Sequence, residues 1–208
     1  MIKNIIFDLG GVLVDLNPKE TFKCFGGKLE SFYGAQFPHE FIELMNQFER
    51  GEISADFFRE STCNMFSMLI SKARFEMCWN AMIGSMHTNT ILMLLELRKK
   101  YRIFALSNNN QIHYDYLIKK DFWEPFLFEE TYFSHLVGMK KSEKRIFEFV
   151  LNDSDLNPAE TFFIDDVLIN IESAASLGIQ TLHYDGKIPI YEKISQLFNI
   201  KLPKFNIS

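Results

Sequence analysis

The sequence predicts an α/β protein, a doubly wound and mostly parallel sheet of Rossmann-like kind with an inserted bundle of four helices. Three observations predict it. Ile2-Lys3-Asn4-Ile5-Ile6-Phe7, Arg102-Ile103-Phe104-Ala105-Leu106 and Thr161-Phe162-Phe163-Ile164 are short apolar runs rich in β-branched and aromatic residues, which read as buried parallel strands. Helical periodicity alternates with strand signals from residue 88 onward. Between the first strand and that point, residues 17–84 carry helical spacing and no strand signal.

The elements follow in order. After the first strand, Asp8 leads into Leu9-Gly10-Gly11, and paired glycines permit a tight turn and close backbone approach to a ligand. Pro18 to Phe25 reads as a short helix. Phe41, Leu44, Met45 and Phe48, spaced by three and four, predict a helix over 38–49 that stops at Gly51. Ser54 is placed to cap a helix reaching Ile70, with Phe57, Phe58, Phe66 and Leu69 available for burial. A helix over 71–83 carries Phe75, Met77, Trp79 and Met82, aromatic and thioether side chains suited to a bundle core.

Thr88 to Lys100 is amphipathic and ends in Arg98-Lys99-Lys100, where cations suit the helix dipole. A strand over 102–106, a helix over 110–120, a short strand over 131–134, a helix over 142–151 and a strand over 161–164 follow. A helix over 168–177 stops at Gly178. A strand over 179–184 and a helix over 188–198 complete the pattern. The expected division is a core of residues 1–16 and 85–208 with a cap of residues 17–84.

Composition narrows the function. The chain has 208 residues, a hydrophobic share of 47% and a net charge of −5. That is ample for a packed core and gives no basic footprint for nucleic acid. No apolar stretch reaches membrane-spanning length, and the first strand meets Asp8 too soon for a signal-peptide core. Cys24, Cys63 and Cys78 lack metal-ligand spacing and read as buried free thiols in helices, which predicts a reducing, cytoplasmic setting. The five histidines share no metal spacing either; His113, on the helix after the second strand, reads first as a surface or partly packed histidine, the alternative being one that approaches a substrate. A monomer or homodimer is expected.

In an open α/β sheet the ligand lies beyond the carboxyl ends of the strands, so the polar residues there converge. Asp8 is a nucleophile or metal ligand in this reading, the alternative being a turn-capping aspartate. Asp165 and Asp166 are too close to ionise without a cation or lysine beside them, and magnesium takes one or two carboxylates with phosphate and water. The alternative is a pair capping the next helix. Asn170, four residues after Asp166, is placed to orient that carboxylate or is a plain first-turn polar residue. Ser107-Asn108 supplies a hydroxyl and an amide ahead of a helix N-terminus, which favours anions. Lys141 is placed to reach a phosphate oxygen and to hold acidic residues together.

Four segments carry a resemblance in order and spacing. Ile5-Ile6-Phe7-Asp8-Leu9-Gly10-Gly11-Val12-Leu13-Val14-Asp15 resembles the first motif of the haloacid dehalogenase-like hydrolase superfamily, and Leu106-Ser107-Asn108 the second. Gly138-Met139-Lys140-Lys141-Ser142 resembles the third, and Phe163-Ile164-Asp165-Asp166 through Asn170 the fourth. Residues 17–84 stand where this family carries its small helical cap. Glu49-Arg50-Gly51-Glu52-Ile53-Ser54 is most similar to the branch of bacterial glucose-1-phosphate phosphatases and epoxide-hydrolase N-domains.

The resemblance implies a phosphatase acting on a small phosphorylated metabolite, such as a sugar phosphate, through an aspartyl phosphate at Asp8. It implies Mg²⁺ held by Asp8, the Gly10 carbonyl and Asp166, with Asp165 in support. It implies phosphoryl oxygens bound by Ser107, Asn108 and Lys141. Two positions depart from the pattern. Gly10 stands where most phosphatases of the family carry a general acid worth roughly 10²–10⁴ in rate, about 3–5 kcal/mol. Ser142 stands in place of a proline and is expected to cap the following helix. Two rivals accompany this reading: a metal-independent C–halogen hydrolase, which has no use for Asp165-Asp166, and a degenerate phosphate-binding member.

Overall fold

The computed structural model describes residues 1–26, 37–119 and 125–202. Five strands form one all-parallel sheet: β1 (Asn4–Phe7), β2 (Arg102–Ser107), β3 (Glu130–Phe133), β4 (Thr161–Asp165) and β5 (Gln180–His183), in the order β3-β2-β1-β4-β5. The first strand thus lies at the centre, between β2 and β4. Phe7 pairs with Ala105 on one side and Ile164 on the other, so the next residue, Asp8, stands level with Asp165.

Alternation along the strands builds two apolar layers. Ile5, Phe7, Ile103 and Ala105 pack on Leu94 and Leu97 of α5 (Thr88–Leu97) and on Ile190 and Ile194 of α10 (Ile190–Leu197). Ile6, Phe104, Leu106 and Phe163 pack on α8 (Lys144–Asp153) and α9 (Leu168–Ala175). Each fully buried side chain of this kind contributes roughly 1.5–3 kcal/mol. The doubly wound, parallel α/β sheet expected from the sequence is the observed one. Helix α6 (Gln111–Lys119) follows β2, and a single helical turn α7 (Ser134–Val137), unpredicted, follows β3.

The insert contains α1 (Pro18–Phe25), α2 (His39–Glu49), α3 (Ala55–Met65) and α4 (Lys72–Trp79), then a 3₁₀ turn over Asn80–Met82. Residues 27–36 fall outside the described residues. Ser54 and Ser71 cap α3 and α4 by accepting from Phe57 N–H and Arg74 N–H. A third apolar cluster joins the insert to Ile112 of α6; in it Phe41, Phe48, Phe58 and Phe75 are buried and Phe48 stacks on Phe58 at 4.2 Å. Chain entering and leaving the insert is stitched together: Asn17 N–H donates to Met82 O at 2.8 Å and Gly84 N–H to Asp15 O at 2.8 Å. A Cβ on Gly84 would stand 2.9 Å from the Asp15 carbonyl oxygen, so this crossing needs a glycine.

Four expectations are corrected. Helix α3 ends at Met65 rather than Ile70, because Ser67 turns left-handed (φ 51°) and Met68 N–H closes on Cys63 O at 2.8 Å. Phe58 is buried as expected, but Phe57 is 54% and Leu69 102% exposed. Cys24 and Cys78 are not free thiols: they form a disulfide that ties α1 to α4, and Cys63 alone is free. Finally, Ser142 does not cap α8. Glu143 occupies the cap position, held in a turn by its N–H to Lys140 O at 2.9 Å, and directs its carboxylate to Arg50 and Arg145.

Candidate active site

The strand register delivers the acidic groups to one point. Asp8 is 5% and Asp165 0% exposed, and Asp166 lies beside them nearer solvent. One carboxylate oxygen from each lies within 4.8 Å of the others. Lys141 reaches into the cluster from the loop before α8. Its Nζ is 2.6 Å from Asp8 Oδ1 and 2.8 Å from Asp165 Oδ2, and its side chain is 2% exposed. Of the two lysines weighed from the sequence, Lys141 is the one the structure places in the acidic cluster. Lys140 instead pairs with Glu49 and donates to Asn46 Oδ1 at 2.7 Å.

Asp165 and Asp166 are divided in their tasks. Asp165 Oδ1 accepts from Val167 N–H at 2.7 Å, and both its oxygens accept from Asn170 Nδ2, at 3.0 and 3.1 Å. The expectation that Asn170 orients Asp166 is therefore corrected to Asp165. The turn into α9 makes this inevitable: it points Asp165 inward along the strand and swings Asp166 outward over Gly11. A Cβ on Gly11, which has φ +82°, would strike that carboxylate, coming 2.9 Å from its Cγ. Adjacent Gly10 has a different neighbour: a Cβ there would stand 2.6 Å from Leu16 Cδ1.

Electrostatics follow from burial. The Asp8 carboxyl is raised to about 7, first by desolvation and further by Asp165 and Asp166, with Lys141 opposing. Desolvation lowers the Lys141 ammonium, but Asp8 and Asp165 outweigh it and hold it above its ordinary value. Asp166 is raised by burial and by Asp165. Ionising all three carboxylates beside one ammonium would leave two negative charges uncompensated in a confined space. Hard oxygen donors of this kind, with that excess charge, suit a divalent cation such as magnesium.

On the other side of β1, Ser107 ends β2 and is 6% exposed. Asn108 Oδ1 accepts from Lys141 N–H at 2.9 Å, so the second segment holds the third in place. Asn109 N–H donates to Ser134 Oγ at 2.9 Å, and that hydroxyl donates onward to Glu49 O at 2.6 Å. Sequence reasoning missed this clamp between insert and core, which Arg50 extends by pairing with Glu143 at 2.8 Å. Its signal was the run Glu49-Arg50-Gly51: a Cβ on Gly51 (φ +69°) would collide with the His135 carbonyl oxygen. His113 stands apart from the acidic cluster in chemistry. Its Nδ1 is 2.8 Å from Asn80 Oδ1, it stacks on Trp79, and burial drives its pKa down to about 3.

Comparison with known proteins shows the family. The family model described as haloacid dehalogenase-like hydrolase matches residues 5–184. A D-ribitol-5-phosphate phosphatase of Bacteroides thetaiotaomicron is 27% identical over 206 residues, covering 96% of this chain and all of that protein. A sesquiterpene phosphatase of Aspergillus oryzae is 27% identical over 201 residues, covering 94% and 96%. The crystal structure of a Bacteroides thetaiotaomicron enzyme of this family, in complex with magnesium and inorganic phosphate, superposes with a TM-score of 0.82 at 33% identity. It covers 95% of this chain and 100% of that one. A hydrolase with phosphatases among its relatives, the chain belongs to the haloacid dehalogenase-like family.

Proposed function

We propose that the protein is a magnesium-dependent phosphatase that hydrolyses a small phosphate monoester through a phosphorylated Asp8. The observation that carries this reading is the buried cluster of Asp8, Asp165 and Asp166 bridged by Lys141. Asp8, the Gly10 carbonyl and Asp166 would hold the cation, with Asp165 behind them. When bound, magnesium supplies positive charge beside the phosphoryl group and favours the ionised form of Asp8.

The chain's own groups do the rest. Asp8 Oδ1 is fixed by Leu9 N–H at 2.6 Å and by Lys141 at 2.6 Å, so Oδ2 is the oxygen placed to attack phosphorus. The P–O bond to the alcohol breaks, and the alcohol takes its proton from water. Water then attacks the aspartyl phosphate, releasing inorganic phosphate and restoring the carboxylate. Lys141, Ser107 and the Asn108 main chain bind the equatorial oxygens, where charge stabilisation is the main catalytic contribution. Residues 17–84 act as a cap over this centre. The Cys24–Cys78 disulfide removes the thiol argument for a cytoplasmic setting, and among the described residues no helix is long and apolar enough to cross a membrane.

The test is p-nitrophenyl phosphate hydrolysis with and without magnesium, in wild type and Asp8→Asn. The reading expects turnover that needs magnesium and falls by at least about 10³ in the variant. Turnover surviving either change would overturn it. A degenerate phosphate-binding role has one observation in its favour, the leucine methyl that fills the space beside Gly10. Phosphate and magnesium binding without any turnover would establish that role instead.

A further inference from the structure

The proposed chemistry uses only one end of the cavity beside the site. This cavity has a volume of about 330 Å³ and runs from Gly10, Ser107 and Asn108 to the underside of the helical insert. Away from that polar end its walls are Phe22, Phe37, Phe41, Met45, Trp79 and Met82. The rings support one another: Phe22 stacks on Phe37 at 5.7 Å, Phe37 meets Phe41 at 5.1 Å, and Trp79 stacks on His113 at 5.8 Å.

Each polar side chain that reaches these walls already spends at least one polar atom on a partner within the protein. Thr21 Oγ1 donates to Trp79 O at 3.2 Å. Asn109 Oδ1 accepts from Asn110 N–H at 2.7 Å, and Asn110 Oδ1 from His113 N–H at 3.1 Å. His113 is neutral and paired with Asn80 through Nδ1, and the Glu49 carboxylate is paired with Lys140. A hydroxyl-rich alcohol entering here would surrender its hydrogen bonds to water and meet, along the insert's aromatic and thioether wall, only the remaining nitrogens of Asn109, Asn110 and His113. An apolar or aromatic alcohol would gain by leaving water.

Resting on the phosphatase reading, we infer that the natural substrate is a phosphate monoester of an apolar alcohol, aliphatic or aromatic. Its phosphate lies at the Ser107 end and its hydrocarbon lies against the rings of the insert.

Pentyl phosphate and ribitol 5-phosphate form a matched pair for the test. Both have a five-carbon chain and a primary C–O–P bond, and they differ only in the hydroxyls. With magnesium present, kcat/KM for pentyl phosphate should exceed that for ribitol 5-phosphate by at least about tenfold, chiefly through KM. Met45→Gln, which keeps side-chain length and adds a polar amide to the wall, should narrow that ratio. A polyol ester hydrolysed as well as the alkyl ester, or better, would overturn this inference and leave the phosphatase reading standing. Failure to hydrolyse either ester or p-nitrophenyl phosphate would overturn both.

Discussion

Gly11 and Asp166 touch across the mouth of the acidic cluster: the carboxylate of Asp166 fills the space that a side chain at position 11 would need. The same glycine sits at φ +82°, where an L side chain is strained. Gly11→Ala therefore pushes Asp166 away from Asp8 as well as straining the turn. Magnesium affinity, measured by calorimetry, should fall by about tenfold or more, while the fold loses only about 1–2 kcal/mol. Unchanged magnesium binding would show that Asp166 is not a ligand.

Gly10, where most phosphatases of the family carry a general acid, has a close neighbour. Leu16 Cδ1 lies 2.6 Å from where a Cβ would stand, and Leu16 also lines the cavity. Gly10→Asp alone should gain little, because its side chain meets that methyl. Gly10→Asp with Leu16→Ala should raise kcat on an alkyl phosphate by about tenfold or more over Leu16→Ala alone, since general acid help matters most for a poor leaving group. Equal rates for the two would show that proton donation does not limit turnover.

The disulfide between Cys24 and Cys78 closes a loop with a sequence separation of 54. Such a cross-link stabilises by roughly 2–4 kcal/mol. Reductant should lower the urea midpoint of wild type and leave Cys24→Ser/Cys78→Ser unaffected. A wild-type midpoint insensitive to reductant would remove the bond from the account.

His113 makes the fold sensitive to acid. Its pKa is lowered by burial to about 3 in the folded chain against about 6.5 unfolded, so the unfolded chain binds the extra proton first as pH falls. The neutral imidazole therefore gives stability that is full above pH 6.5 and declines below it until the folded value is reached. Between pH 6.5 and pH 5 that loss is about 1.5 kcal/mol. Asp8, whose pKa is raised, runs the other way, so the comparison is wild type against His113→Gln, in which Asp8 cancels. Denaturant titrations at the two pH values should show the difference between the proteins shrinking or reversing in acid.

Local pattern made much of this legible. The β-branched runs ending at Asp8, Ser107 and Asp165 are strands because their neighbours along the chain favour strands, and a parallel sheet sends such ends to one edge. The preference for Lys141 over Lys140 came instead from the resemblance of Gly138-Met139-Lys140-Lys141-Ser142 to the family's third motif. Position within a turn was not legible. Whether Asn170 serves Asp165 or Asp166 depends on how the chain turns into α9, and Ser142 lost its expected capping role to a turn closed by Lys140 and Glu143.

Sequence by itself determined which chemical groups would stand at the strand ends, because strand, helix and turn preferences act over a few residues. Tertiary structure alone decided that Lys141 bridges Asp8 and Asp165, that Cys24 finds Cys78, and that the rings of the insert line a cavity shared with Ser107 and Asn108. Those outcomes depend on packing between segments far apart in the chain, where burial fixes charges and partners that no short stretch of sequence encodes.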